Sequence, residues 1–384
     1  MFTPLYYAYF VFGFTFAFIA VAVQFHLADT LHISPAENTY IWAIVSTPWM
    51  FKPVYGALSD KTGYRRTYIS IGAFVCGVLL AYTPNTSANK VGLTAALTLV
   101  SLFMCIADVG CDSMMVEFAR TDKGIQSRCW LARNIGGLAA TGLSGVIYKV
   151  LGFGPILRIA AAPPLAMALY IWELPELRTV GSTVVLKKSF VAFLGMWKLL
   201  LFILVCSMVP ETGNILFFKL KDRGLDPLAF SVISVAGSLT ACLVAFIYQF
   251  CTNSIQAVQL SLCLGVGSAT CALLITLGGN AFQLAILRSV LDGAGGMLML
   301  LPIVIYTAKK CPEGAEGTTY SMVMAWLNFT TIVSETIEGR VILGMGITEN
   351  DLSRLAIFFA GGVALSTIPF CFVSLLDIGN KRTI

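Results

Sequence analysis

The sequence predicts an all-α membrane protein of twelve transmembrane helices in two six-helix bundles. Three observations predict it. Hydrophobic residues make up 57% of the 384-residue chain and charged residues only 12%, whereas soluble domains carry about a quarter charged residues. The mean hydropathy is +0.83. Apolar runs of about 20 residues, the length that crosses a bilayer, recur along the chain between short polar turns.

Taken in order, the spans fall at 4–28, 37–58, 65–83, 91–119, 124–150, 155–173, 190–217, 227–250, 255–277, 281–308, 315–345 and 352–377. Before the first run, near Leu5, there is no basic residue, and the run reaches Leu27 without a convincing cleavage site. It therefore reads as a membrane helix rather than a signal peptide. Turn signals part the later spans: Ser34-Pro35, Thr83-Pro84-Asn85, Gly152-Phe153-Gly154-Pro155, Asp226-Pro227 and Gly278-Gly279-Asn280. Residues 174–189 are the candidate linker between a bundle at 1–173 and a bundle at 190–384.

Charge sets the expected orientation. Lys61, Arg65, Arg66, Arg120, Lys123, Arg128, Arg178, Lys187 and Lys188 fall on one side, against Lys90, Lys219, Lys221 and Arg223 on the other. The positive-inside rule puts both termini and the linker in the cytoplasm. The loop holding Lys219, Lys221 and Arg223 runs against that pattern. The net charge of +5 is loop charge, not a surface for nucleic acid.

Several function classes drop out. The 11 cysteines are scattered through apolar runs with no Cys-x-x-Cys, as small buried hydrophobes are. The two histidines, at 26 and 32, have no metal spacing. No metal and no cofactor are expected. There is no Gly-x-x-x-x-Gly-Lys-Ser/Thr loop to bind ATP, and nothing points to an enzyme.

Charges inside the spans point to a polar path. An ionisable group in hydrocarbon costs about 2.5–3.5 kcal/mol even on the lenient scale, so it faces a cavity or a partner. Asp108 and Asp112 lie one turn apart on one face of span 4. Arg133 lies about 13 Å into span 5 at 1.5 Å per residue, and Lys52 lies one to two turns from one end of span 2. Arg288 and Asp292 repeat the i,i+4 spacing in span 10, and Asn328 sits midway in span 11. Lys52 and Arg133 either neutralise the two aspartates to lock helices together or line a substrate path with them; both can hold at different stages of a cycle.

Four motifs carry a resemblance. The turn after span 2 reads Lys52-Pro53-Val54-Tyr55-Gly56-Ala57-Leu58-Ser59-Asp60-Lys61-Thr62-Gly63-Tyr64-Arg65-Arg66. It resembles the loop between helices 2 and 3 of the major facilitator superfamily, and its Lys-Pro-x-Tyr-Gly resembles the folate–biopterin transporters. Span 4 carries Asp108-Val109-Gly110-Cys111-Asp112-Ser113-Met114-Met115-Val116-Glu117, and span 5 opens with Gln126-Ser127-Arg128-Cys129-Trp130-Leu131-Ala132-Arg133. Span 11 opens with Cys311-Pro312-Glu313-Gly314-Ala315-Glu316-Gly317-Thr318. Each is similar to that family's pattern, except that Ser113 and Gly317 stand where the family usually has alanine.

The resemblance implies a major facilitator fold, with substrate near the midplane between the halves, and a carrier of folates or pterins working by alternating access. Protons are the candidate coupling ion in a symport. The substrate site is expected at Lys52, Asp108, Asp112, Arg133, Arg288, Asp292 and Asn328. A carboxylate suits the neighbouring N–H donors of a pterin edge, and a folate tail calls for Arg or Lys. Asp60, Arg65, Arg66, Glu117 and Arg120 are expected to form pairs that shut the cytoplasmic face. The expected setting is a lipid bilayer, at the plasma membrane or an organelle, with the chain monomeric. Two alternatives stand: a carrier for another aromatic or organic anion, and a sensor that binds without transporting.

Overall fold

A computed structural model describes residues 3–119, 121–122, 124–175, 184–210, 213–248, 250, 253–312 and 315–376, and all regular structure among them is helical. Arg120, Lys123, Arg178 and both termini lie outside the described residues. Helix α1 (Thr3–Phe25) runs on into a π turn, His26–Thr30. Ser34 then opens α2 (Pro35–Ser46) with a capping box, its hydroxyl accepting from the Glu37 N–H while the Glu37 carboxylate accepts from its own N–H.

The second expected span is not one helix. α2 passes through a 3-10 turn, Thr47–Phe51, into α3 (Lys52–Thr62). Pro48 and Pro53 have no N–H to donate, so the helical ladder breaks there. Lys52 consequently sits at the start of a fresh helix. α4 (Arg65–Tyr82), α5 (Lys90–Phe118) and α6 (Ile125–Leu151) follow as long helices, then the short α7 (Phe153–Ala160) and α8 (Ala162–Tyr170).

The seventh expected span, 190–217, is also corrected. α9 (Val184–Gly195) and α10 (Trp197–Ser207) meet at 65°, and α11 (Gly213–Asp222) is separate. Gly195, a poor helix former, marks the bend, and Pro210 falls in the second break. α12 (Pro227–Tyr248), α13 (Ser254–Thr276), α14 (Ala281–Lys310) and α15 (Glu316–Gly344) are continuous. α16 (Leu355–Leu365) gives way to a 3-10 stretch, Ile368–Leu375, with Pro369 in its first turn.

Among the described residues, eight helical stretches are long and apolar enough to cross a membrane, and the bent α9–α10 pair makes a ninth. The chain is an integral, multi-pass membrane protein. The count falls short of the expected twelve for local reasons. The α2–α3 stretch is broken by prolines. α6 and α15 have the length, but polar and small residues dilute their hydropathy, among them Asn134, Gly136 and Gly137 in α6 and Thr318, Thr319, Ser321 and Asn328 in α15.

Packing follows small residues, as membrane helices do when backbones approach closely. α1 lies along α6, and a Cβ on Gly136 would come within 2.1 Å of the Phe10 carbonyl oxygen, so only glycine fits. α6 packs on α12, α12 on α14, and α14 on α13. α15 leaves its sequence neighbours and packs on α2, α3 and α5. The two halves of the chain thus meet along two seams, α6 with α12 and α15 with α2–α3.

Candidate functional site

Three helices bring the span charges together. Lys52, from the start of α3, pairs with Asp108 of α5 and lies 3.2 Å from Asp112 Oδ2. Arg133 of α6 donates to Asp108 Oδ1 at 3.1 Å. The first turn of α3 puts the Lys52 ammonium 5.0 Å from the Trp49 ring, and Trp49 Nε1 donates to Ser101 Oγ at 2.7 Å. The i,i+4 spacing of the aspartates sets both on the α5 face that meets these bases. Two acids face two bases, and Lys52, Asp108 and Asp112 are all buried.

The sequence reading did not identify the remaining members. Tyr9 of α1 donates its hydroxyl to Asp112 Oδ1 at 2.6 Å. Arg133 lies 5.9 Å from the Phe12 ring and 5.2 Å from that of Trp130. A tyrosine in an apolar, aromatic-rich helix gives no sign of its partner, although Trp130 does stand inside a motif already quoted. Both Asp108 oxygens and both Asp112 oxygens therefore meet protein donors. Arg133 is the open member, its side chain 27% exposed against 1–5% for the others.

Arg288 and Asp292 do not join this cluster. They face each other at 3.5 Å on α14 and line a cavity of about 630 Å³ whose walls come wholly from residue 202 onward, including Ser207, Ser334 and Phe359. Asn328 is spent on its own helix, donating to the Met324 carbonyl at 2.8 Å, and does not line that cavity. Glu338 lines a smaller, mostly apolar crevice of about 410 Å³.

The turn between α3 and α4 holds a second cluster. Arg65 pairs with Glu117 and lies 3.4 Å from Asp60 Oδ1. Asp60 Oδ2 accepts from the Thr318 N–H at 2.7 Å and the Thr318 hydroxyl at 2.6 Å, across 258 residues of sequence. A carboxylate at the first turn of α15 suits the positive end of that helix. Arg66 goes elsewhere, donating to the carbonyls of Leu174 at 3.0 Å and Trp172 at 3.3 Å. Arg120 lies outside the described residues.

The opposite end is also joined. Gln24 Nε2 donates to Asn214 Oδ1 at 3.0 Å, and the Gly145 N–H donates to Ser231 Oγ at 2.8 Å. Lys149 meets Asp226 at 3.1 Å, and Lys221 pairs with Asp29. Two of the three loop bases that ran against the charge pattern are matched by acids: Lys221 by Asp29, and Lys219 by Asp222 at 3.0 Å.

The BT1 family model matches residues 13–382. The chain belongs to the BT1 family. A folate-biopterin transporter of Synechocystis sp. (strain ATCC 27184 / PCC 6803 / Kazusa) is 25% identical over 394 residues, covering 94% of this chain and 79% of that protein. A folate transporter 1 of Plasmodium falciparum (isolate 3D7) is 21% identical over 387 residues, covering 94% and 77%. Among solved structures, nucleoside transporter NupG superposes with a TM-score of 0.69 at 14% identity, covering 97% of this chain and 98% of that one. An auto-inhibited POT family peptide transporter gives 0.68 at 13%, covering 99% and 98%. These likenesses show a transporter fold. Two residues of the quoted motifs, Ser113 and Gly317, meet in space: a Cβ on Gly317 would fall 2.3 Å from Ser113 Oγ.

Proposed function

We propose that this BT1 family member is a secondary active carrier of folates or pterins that works by alternating access. The observation that carries the reading is the buried Lys52–Asp108–Asp112–Arg133 cluster, with one base partly open. Leaving one partner of a buried ion pair alone costs about 3–5 kcal/mol, so such a cluster persists where its charges are used or exchanged. Arg133 is the group an arriving anion meets first. A pterin edge, with its neighbouring N–H donors, takes the place of Lys52 on Asp108 and Asp112, while the Tyr9 hydroxyl keeps Asp112 oriented. The relatives named for folate and biopterin support this substrate class.

The same reading takes the span count to twelve. The eight long apolar stretches, the bent α9–α10 pair, α2–α3, α6 and α15 make twelve crossings. They divide as 1–173 and 190–384 about a cytoplasmic linker at 174–189, with both termini cytoplasmic. Asp60, Arg65 and Glu117, with Arg120, then belong to the cytoplasmic closure. Arg288 and Asp292 serve the substrate from the second half. Protons are the candidate coupling ion.

Counterflow in proteoliposomes tests the reading. Vesicles loaded with unlabelled biopterin or folate should take up the labelled compound transiently, and vesicles loaded with unrelated anions should not. Binding without exchange would favour a sensor. Exchange of other aromatic anions, with folate and biopterin inert, would overturn the substrate assignment.

A further inference from the structure

The closure at the α3–α4 turn depends on a fit that no charge explains. Asp60 reaches Thr318 only because the start of α15 presses against α3 and α5. A Cβ on Gly317 would stand 2.3 Å from Ser113 Oγ and 2.7 Å from Asp60 Oδ1, both inside any real contact. Ser113 cannot swing aside freely, since its hydroxyl donates to the Val109 carbonyl at 2.8 Å in the turn before it. From the other side, a Cβ on Gly56 of α3 would meet the Gly317 carbonyl oxygen at 2.6 Å and Ser321 Oγ at 2.5 Å. Ser113, Asp60 and Thr318 are all buried. Helix propensity alone favours alanine at both glycine positions, so tertiary approach is the reason glycine suits them.

We propose that Ser113 and Gly317 are a size-matched pair of positioning residues. Their joint volume sets how near α15 comes to α3 and α5, and so whether the Asp60–Thr318 bonds close. The hydroxyl on one helix occupies the space that a methyl group would need on the other. The pair touches no substrate; it acts on the equilibrium between open and closed states of this end. The proposal rests on the carrier reading above.

The test is counterflow with labelled biopterin on five purified variants, with thermal unfolding in detergent as a second readout. Gly317→Ala should lower the maximal exchange rate by about tenfold or more, with apparent affinity changed by less than about threefold. Ser113→Ala alone should stay within about twofold of wild type, and Ser113→Ala/Gly317→Ala should exchange about threefold or more faster than Gly317→Ala without full recovery, because Asp60 Oδ1 still stands 2.7 Å from the added Cβ. Gly56→Ala should also slow exchange, but adding Ser113→Ala should not help it, because its obstacles are Gly317 and Ser321. Unfolding temperatures should follow the same order.

Three results would overturn the pair. They are exchange by Gly317→Ala at the wild-type rate, a double variant no faster than Gly317→Ala, and equal rescue of Gly56→Ala by Ser113→Ala. If Gly317→Ala never reaches the membrane, the double variant decides: its appearance there with exchange supports the pairing, and its equal absence refutes it. Wild-type protein that exchanges neither biopterin nor folate sinks the carrier reading instead. The unfolding temperatures then judge the pair alone.

Discussion

Tyr9 enters the site through one hydroxyl, and that bond can be removed without disturbing the ring. Tyr9→Phe keeps the edge contacts with Phe12 and Trp130 but leaves Asp112 Oδ1 without its donor. A hydrogen bond to a charged group contributes about 1.5–3 kcal/mol. Initial uptake of labelled biopterin by Tyr9→Phe should therefore fall by about tenfold or more, with the amount of protein in the membrane preserved. Unchanged uptake would mean that Asp112 needs no help from α1. At this scale the sequence was legible wherever a charge stood in an apolar run. Lys52, Asp108, Asp112 and Arg133 each demanded a partner, and they found one another. Tyr9 made no such demand, because a tyrosine ring packs against Phe12 and Trp130 with or without its bond. Asn328 made no such demand either: an amide can close on its own helix, as this one does on Met324.

Helix ends carry the next layer. Asp226 lies just before α12 and accepts from the Ala229 N–H at 3.0 Å, an N-cap bond. That N–H, with Lys149 beside it, holds the Asp226 carboxyl below the usual carboxylate range. The exposed ion pair itself adds little; the cap is the larger part. Asp226→Ala should lower the stability of detergent-purified protein by about 1 kcal/mol at neutral pH. The sign follows from the lowered value. The contribution is full above the unfolded carboxylate pKa and is lost as pH falls through the lower folded one. Wild type and variant should therefore converge below about pH 4, as thermal unfolding would read. A gap that persists there would assign the loss to something other than the carboxylate. Elements were legible as apolar runs, since burial in lipid requires them, but their breaks were not. Pro48, Pro53, Gly195 and Pro210 were visible as letters, yet whether a proline kinks or ends a helix depends on what repacks around it. The attachment of α15 to α2, α3 and α5 was also hidden, because its polar residues form no single stripe.

Bonds between the halves at opposite ends describe a molecule with both ends held. Opening one end then has to break Asp60–Thr318, and opening the other has to break Gln24–Asn214 and Gly145–Ser231. Asp60→Asn keeps one acceptor for Thr318 but sets an NH2 group where Arg65 finds a carboxylate. It should slow exchange more than it weakens equilibrium binding, since a shift of about 1.4 kcal/mol between states is tenfold in their ratio. Initial-rate transport and ligand binding on the same preparation check this. Binding lost by orders of magnitude in folded protein would put Asp60 in the substrate site.

The Asp60–Thr318 bond also has a history in the life of the chain. Its two residues are separated by 258 positions, and a ribosome adds about 5–20 residues per second. Once Asp60 has been made, roughly 10–50 s pass before Thr318 is synthesised. Through that interval the nascent first half lies in the bilayer with its glycine face at Gly56 uncovered. The contact that closes one end of the finished protein is thus among the last that synthesis allows.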